Sequence, residues 1–259
     1  MNIVVLVKQV PDTATERKLN ADDKTLDREA SDGVINELDE YAIEEALQLK
    51  EKHGGEVTIL TMGPGQATDS IRKALSMGAD KAVFVNDDAI HGSDALQSAY
   101  ALAQALGGIE YDVVVLGSES TDARTGVVGA ALAEYLGLPQ LTLARKVDID
   151  GDTIRIQRQT DYGYDVVEAR LPAVVSVVEK INEPRYPSFK LIMQAKKKPV
   201  DKKSAADVGI DTARVGLANA TTETVDFADA PPRAAGTVVK DEGDGGAKIA
   251  EFLVEKKFV

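Results

Sequence analysis

The residues best suited to chemistry are those of 117–126, GSESTDARTG, a run of small, hydroxylated and charged side chains between an all-apolar segment and a glycine-bearing helix. Glycine at 117, 126 and 129 would let an anion come close to the backbone, and a helix opening there would offer its first amides to a phosphate. Asp122 is a candidate to accept from a ribose or to cap the helix, and Arg124 to pair with a phosphate. A plainer use of the same residues stays open. Gly126 and Gly129 would also let the helix pack tightly on a sheet, with Thr121 or Asp122 as an ordinary N-cap. Conventional dinucleotide and P-loop patterns find little support, because the chain has no GxGxxG after its first strand and no GxxxxGK followed by Ser or Thr.

Such a loop needs a frame. Residues 113–116, VVVL, are apolar at every position, as a parallel strand covered on both faces requires. Similar runs at 2–7, 57–61, 82–85 and 172–178 predict further buried strands. Between them lie helical patterns. One carries Ala42, Ile43, Ala46 and Leu47 on one face and stops at Gly54 and Gly55; the next runs through Ile71, Ala74 and Leu75 to Gly78. A third has Ser93 as its expected N-cap and Ala95, Leu96, Ala99, Ala103 and Leu106 as its buried face. The alternation predicts an α/β fold, a doubly wound and mostly parallel sheet with ligands at the carboxyl ends of its strands. Three loops should meet there: KQVPD, MGPGQ and 117–126. Alternating residues around Asp150 and Gly151 predict an antiparallel hairpin extending the sheet, and 16–33 reads as a long excursion with a small hairpin.

The segment 183–198 does not read as core. It carries prolines at 184, 187 and 199, then Phe189, Leu191, Ile192 and Met193, and then lysines at 196–198, a run expected to be solvated or to steer acidic partners. Residues 200–248 have few large apolar side chains and must lie on something. Ile249, Phe252 and Leu253 mark a short terminal amphipathic helix. The organisation expected is an α/β nucleotide-binding domain over 1–199, including the loop 183–198, and an extended arm over 200–259 that packs on a partner subunit, with a disordered tail as the alternative.

Composition narrows the function. A net charge of -13 argues against nucleic acid or an anionic membrane as the main partner. With no Cys there is no disulfide, thiolate metal site or cysteine nucleophile, and two His cannot make a His-rich metal centre. His53 reads as a partner of a helix C-terminus and His91 as a solvated loop residue. No 18-residue apolar run exists and MNIVVLVKQ has no signal-peptide pattern, so no membrane insertion and a cytoplasmic location are expected. No constellation of acid, base or nucleophile stands out, so no catalytic residue and no metal ligand are expected.

The segments VKQVPD, NELDEYAIEEALQLKEK, GPGQATDSIRKALSMGAD, YDVVEARLPAVVSV and NEPRYPSFKLIMQAKKK together resemble the β (small) subunit of electron-transfer flavoproteins over residues 1–198. The resemblance implies an adenine-nucleotide-hydrolase-like sheet and a non-enzymatic electron-carrier subunit. It would pair with an α subunit that holds most of an FAD, fold around a structural AMP, accept electrons from acyl-CoA and related dehydrogenases of fatty acid β-oxidation, and pass them to a membrane quinone oxidoreductase. Carried over residue by residue, the AMP site would comprise Leu6; Asn36, Glu37, Leu38 and Asp39; Met62; and Gly117, Ser118, Glu119, Ser120, Thr121, Asp122, Ala123, Arg124, Thr125 and Gly126. The dehydrogenase-docking segment would comprise Pro184, Arg185, Tyr186, Phe189, Leu191, Ile192 and Met193, with Phe189 as its apolar anchor. Two positions depart from the family: Thr13 stands where many members carry an aromatic residue facing the flavin, and the 117–126 loop is short. The alternative that the resemblance leaves open is a flavin-bifurcating β subunit with a second FAD in the AMP site.

Overall fold

The computed structural model describes residues 1–232, 236 and 238–259. The chain divides into two compact units, Met1–Thr224 and Val225–Val259. In the first unit the apolar runs become strands and the amphipathic segments become helices. In chain order these are β1 (Asn2–Leu6), β2 (Gln9–Pro11), β3 (Gly33–Ile35), α1 (Glu37–His53), β4 (Glu56–Met62), α2 (Thr68–Met77), β5 (Lys81–Val85), α3 (Ala95–Leu106), β6 (Val113–Gly117) and α4 (Val128–Leu136). There follow β7 (Gln140–Asp150), β8 (Thr153–Thr160), β9 (Gly163–Arg170), β10 (Ala173–Val177), α5 (Phe189–Ala195) and β11 (Val200–Lys203).

Among the described residues these strands form a 9-stranded sheet in the order β11-β5-β4-β1-β6-β10-β7-β8-β9, with β2 and β3 as a separate antiparallel pair. The pairings from β11 through to β7 are parallel, and β8 and β9 continue antiparallel, so the predicted α/β class and the hairpin extension are both found. All five residues of β6 and of β10 are buried. Each such Val or Leu contributes about 1.5–3 kcal/mol on leaving water, and the one polar side chain there, Ser176, accepts from Leu143 N–H at 3.0 Å.

Two apolar layers cover the sheet. Ile3, Val5, Ile59 and Val115 point to α1 and α2, and Val4, Leu60, Val114 and Leu116 point to α3 and α4, the two-residue alternation of strands buried on both faces. Ala42, Ile43, Ala46 and Leu47 form the buried stripe of α1 as its spacing predicts. On α3 the spacing misleads at one position: Leu96 is exposed and Gln97 is buried. The cap also differs by one residue. Asp94, not Ser93, caps α3, because its carboxylate accepts from Gln97 N–H at 2.9 Å while its own N–H donates to Gln97 Oε1 at 3.0 Å. Ser93 Oγ instead accepts from Gly216 N–H.

Composition placed 200–224 in a loosely packed arm, whereas the compact unit extends to Thr224. Strand β11 pairs in parallel with β5 through backbone groups, and Ala205, Ile210 and Val215 are buried in the α3–α4 layer. Asp94 Oδ2 then accepts from Thr221 N–H at 2.7 Å and Thr222 N–H at 3.0 Å, tying the end of this segment to the start of α3. The second unit contains α6 (Gly245–Glu255), on which Ile249 and Phe252 are exposed. No helix among the described residues is long and apolar enough to cross a membrane.

Candidate functional site

Four segments meet at the carboxyl ends of β1, β4 and β6, and Asn36 joins three of them, its own N–H donating to Lys8 O at 2.9 Å. The residue precedes α1 and is 1% exposed. Its Nδ2 donates to Glu119 O at 3.0 Å and to Asp39 Oδ1 at 3.0 Å, and its Oδ1 accepts from Thr121 N–H at 3.0 Å. The side chain therefore does not cap its own helix; it fastens the helix to the 117–126 loop. Asp39, one turn further on, accepts from Lys8 N–H at 2.8 Å and Gly117 N–H at 3.2 Å, joining the ends of β1 and β6. Burial pushes the Asp39 carboxyl up to about 7, against the lowering pull of the donors from Lys8, Asn36 and Gly117. Gly117 must be glycine for space, since a Cβ there would lie 2.6 Å from Asp39 Oδ1 and 2.8 Å from the Leu38 carbonyl carbon.

Lys8 and Gln9 connect the remaining loops. Lys8 Nζ lies 2.7 Å from Asp122 Oδ1 and 3.2 Å from Ser120 Oγ, and Arg28 Nη2 lies 3.4 Å from Asp122 Oδ2. Gln9 Nε2 donates to Gln66 O at 2.9 Å, bringing MGPGQ against KQVPD. Only 2% of the Asp122 side chain is exposed. Burial alone would raise its pKa, but Lys8, Ser120 and Arg28 hold it below the usual carboxylate value. Desolvation in turn lowers Lys8 from the ordinary lysine value, with Asp122 pulling it back.

The structure thus brings Leu6, Asn36, Leu38, Asp39, Gly117 and 118–122 to one place. Glu37 is exposed at the start of α1, Met62 is partly buried at the end of β4, and Ala123, Arg124, Thr125 and Gly126 form the exposed part of the loop. Neither Thr121 nor Asp122 caps α4, which begins at Val128 without a side-chain cap. The Asp122 carboxylate is committed to Lys8 and Arg28, two residues that spacing alone had not marked; their one signal is a cation directly after an apolar strand and another in the following excursion.

An adenylate suits this cradle on two counts. Among the described residues, the buried Thr121 Oγ1 has no hydrogen-bond partner, and the amides of Thr125, Gly126 and Val127 bond to no other protein group. These are donors and an acceptor of the kind that a ribose and a phosphate satisfy, at the mouth of a helix.

Away from this site, Tyr186 is 95% and Phe189 79% exposed, and Ile192 and Met193 are also exposed on α5. Phe189 is not covered. Nor is the lysine run uniformly solvated: Lys198 Nζ donates to Leu75 O at 2.9 Å and to Ala79 O, at the C-terminal end of α2. Among the described residues no group of three or more His, Cys, Asp or Glu could hold a metal ion.

Residues 23–208 match the family described as electron transfer flavoprotein domain. The chain belongs to the electron transfer flavoprotein family. It is 56% identical to the electron transfer flavoprotein subunit beta of Mycobacterium tuberculosis over 264 residues, covering 100% of this chain and 99% of that protein. It is 38% identical to the subunit of the same name from Clostridium acetobutylicum, covering 100% of both chains. It is also 41% identical to Protein FixA of Azorhizobium caulinodans, over 84% of this chain and 80% of that one. Within the electron transfer flavoprotein family the chain thus stands with the β subunits.

Proposed function

We propose that this chain holds a structural AMP and assembles with an α subunit carrying most of an FAD. The heterodimer takes electrons from acyl-CoA and related dehydrogenases and passes them to a membrane quinone oxidoreductase. The bridge from Asn36 to Glu119 O and Thr121 N–H carries the nucleotide part, because it closes the start of α1 against the loop after β6. The adenylate would lie between the ends of β1, β4 and β6, with Thr121 Oγ1 and the amides of 125–127 as its polar contacts. The bound flavin supplies the redox chemistry. This chain's residues bind, orient and exclude water; none is assigned the transfer of a proton or the making of a bond. The exposed apolar side chains of 186–193 supply the docking surface, since an aromatic surrounded by exposed aliphatic groups is what a partner's pocket takes up.

The test is to purify the heterodimer, release its nucleotides by denaturation and count them by chromatography. One FAD and one AMP per heterodimer are expected. Two FAD, or no nucleotide beyond one FAD, would overturn the assignment.

A further inference from the structure

The segment 183–198 is fastened at both ends by polar and charged side chains. At its start Asn182 Nδ2 donates to Tyr41 O at 3.1 Å and to Glu45 Oε2 at 3.2 Å, both on α1. Arg185 then grips the same helix: Nε lies 2.7 Å from Glu44 Oε2, Nη2 2.9 Å from Glu44 Oε1 and Nη1 2.6 Å from Glu51 Oε1. The Arg185 backbone N–H also donates to Glu44 Oε2, at 3.2 Å. At the far end Arg72 Nη1, from α2, donates to Ala195 O at 2.8 Å and Lys198 O at 3.0 Å. Between these fastenings Tyr186, Phe189, Ile192 and Met193 stand exposed.

All three guanidinium nitrogens of Arg185 are engaged with α1, and the Glu44 side chain is only 6% exposed. Three of its five guanidinium N–H groups are thereby directed to this chain's own α1 and away from a partner. We propose that Arg185 is a positioning residue for docking: its bidentate pair with Glu44 and its contact with Glu51 set the direction in which the 186–194 arch presents Phe189. The inference rests on the docking reading above and assigns Arg185 an indirect part in it. Holding the arch before encounter reduces the ordering cost that binding would otherwise bear. Two parallel N–H to carboxylate bonds fix an angle as well as a distance, which a lysine ammonium cannot do.

The experiment uses the heterodimer, with an acyl-CoA dehydrogenase reduced by its substrate as the electron donor. Glu44→Gln removes the pair without touching an exposed surface, and Arg185→Lys keeps the charge but loses the fork. Both should raise the apparent KM for the dehydrogenase about tenfold, the scale of one charge-assisted hydrogen bond, with kcat and the flavin spectrum unchanged. Glu51→Gln, at the more exposed contact, should raise it about twofold and serves as the variant least prone to misfolding. In a Phe189→Ala background the Glu44→Gln effect should vanish, because the group being oriented is gone. A Glu44→Gln heterodimer with normal KM beside an Arg185→Lys or Phe189→Ala heterodimer with raised KM would overturn this inference and leave docking intact. Phe189→Ala with normal KM would overturn the docking reading and the inference with it.

Discussion

Replacing Asn36 with alanine removes three hydrogen bonds at the junction of α1 and the 117–126 loop, each 3.0 Å long. The site is 1% exposed, so water does not substitute for the lost amide unless the loop opens. At about 1 kcal/mol net per bond the loss is about 3 kcal/mol, and the bared Glu119 carbonyl and Thr121 N–H raise it toward about 5 kcal/mol. The same change frees the loop that would cover the adenylate, so nucleotide retention should fall together with stability. Aspartate at this position keeps an acceptor for Thr121 N–H but sets a second carboxylate beside Asp39. Its defect should therefore deepen as pH rises and both groups ionise. The assay is urea unfolding of the heterodimer with nucleotide content measured after gel filtration. If Asn36→Ala unfolds within about 0.5 kcal/mol of the parent and retains its nucleotide in full, the bridge does not hold the site.

Asp39 carries a pH dependence with a defined sign. Its folded pKa, about 7, is above the ordinary value of 3.8, so the folded form holds the extra proton between these limits. The contribution of this group to stability should fall as pH rises from about 4 to about 7 and level off above; Asp39→Asn should flatten that slope, and an unchanged slope in unfolding curves would refute the cause. Gly117→Ala should cost about 2 kcal/mol or more through its clash with Asp39 and Leu38, whereas Gly65→Ala, with no atom within 4 Å of the added Cβ, should be neutral in the same unfolding assay. Asp94→Ala removes the α3 cap and the bonds to Thr221 and Thr222, so about 1–2 kcal/mol of stability should be lost and 216–224 should become sensitive to limited proteolysis. Phe189→Ala should leave thermal stability unchanged, because the residue is 79% exposed, while slowing reduction by a dehydrogenase at low donor concentration.

The parallel sheet is legible in the sequence because 113–116 is apolar at every position and 173–177 at all but Ser176, a pattern that a half-solvated strand cannot tolerate. The outline of the site follows, since each candidate loop comes directly after such a run. Pairing between distant residues is not legible. Asp122 and Lys8 are 114 positions apart, and nothing local separates a buried ion-paired aspartate from a helix cap. Lys198 looks like part of a solvated run until the return of the chain brings it to the open carbonyls at the end of α2. Ser93 and Asp94 are both capping residues, and the choice falls to Asp94 because Gln97 completes the reciprocal bond three positions later. Strand β11, VDKK, has no apolar pattern; it joins the sheet as a charged edge through backbone pairing with β5.

An arch pinned at both feet to α1 and α2 can change its crown without disturbing the sheet beneath. Asn182 and Arg185 hold one foot and Arg72 and Lys198 the other, so the residues from 186 to 194 contribute little to the stability of the unit. Substitutions there are screened by what the crown grips and hardly at all by whether the chain folds. If the proposed docking role holds, the choice of redox donor could be retuned within these nine residues, as an interchangeable bit in a fixed chuck, while the junction of Asn36 with the 117–126 loop at the start of α1 stays as it is.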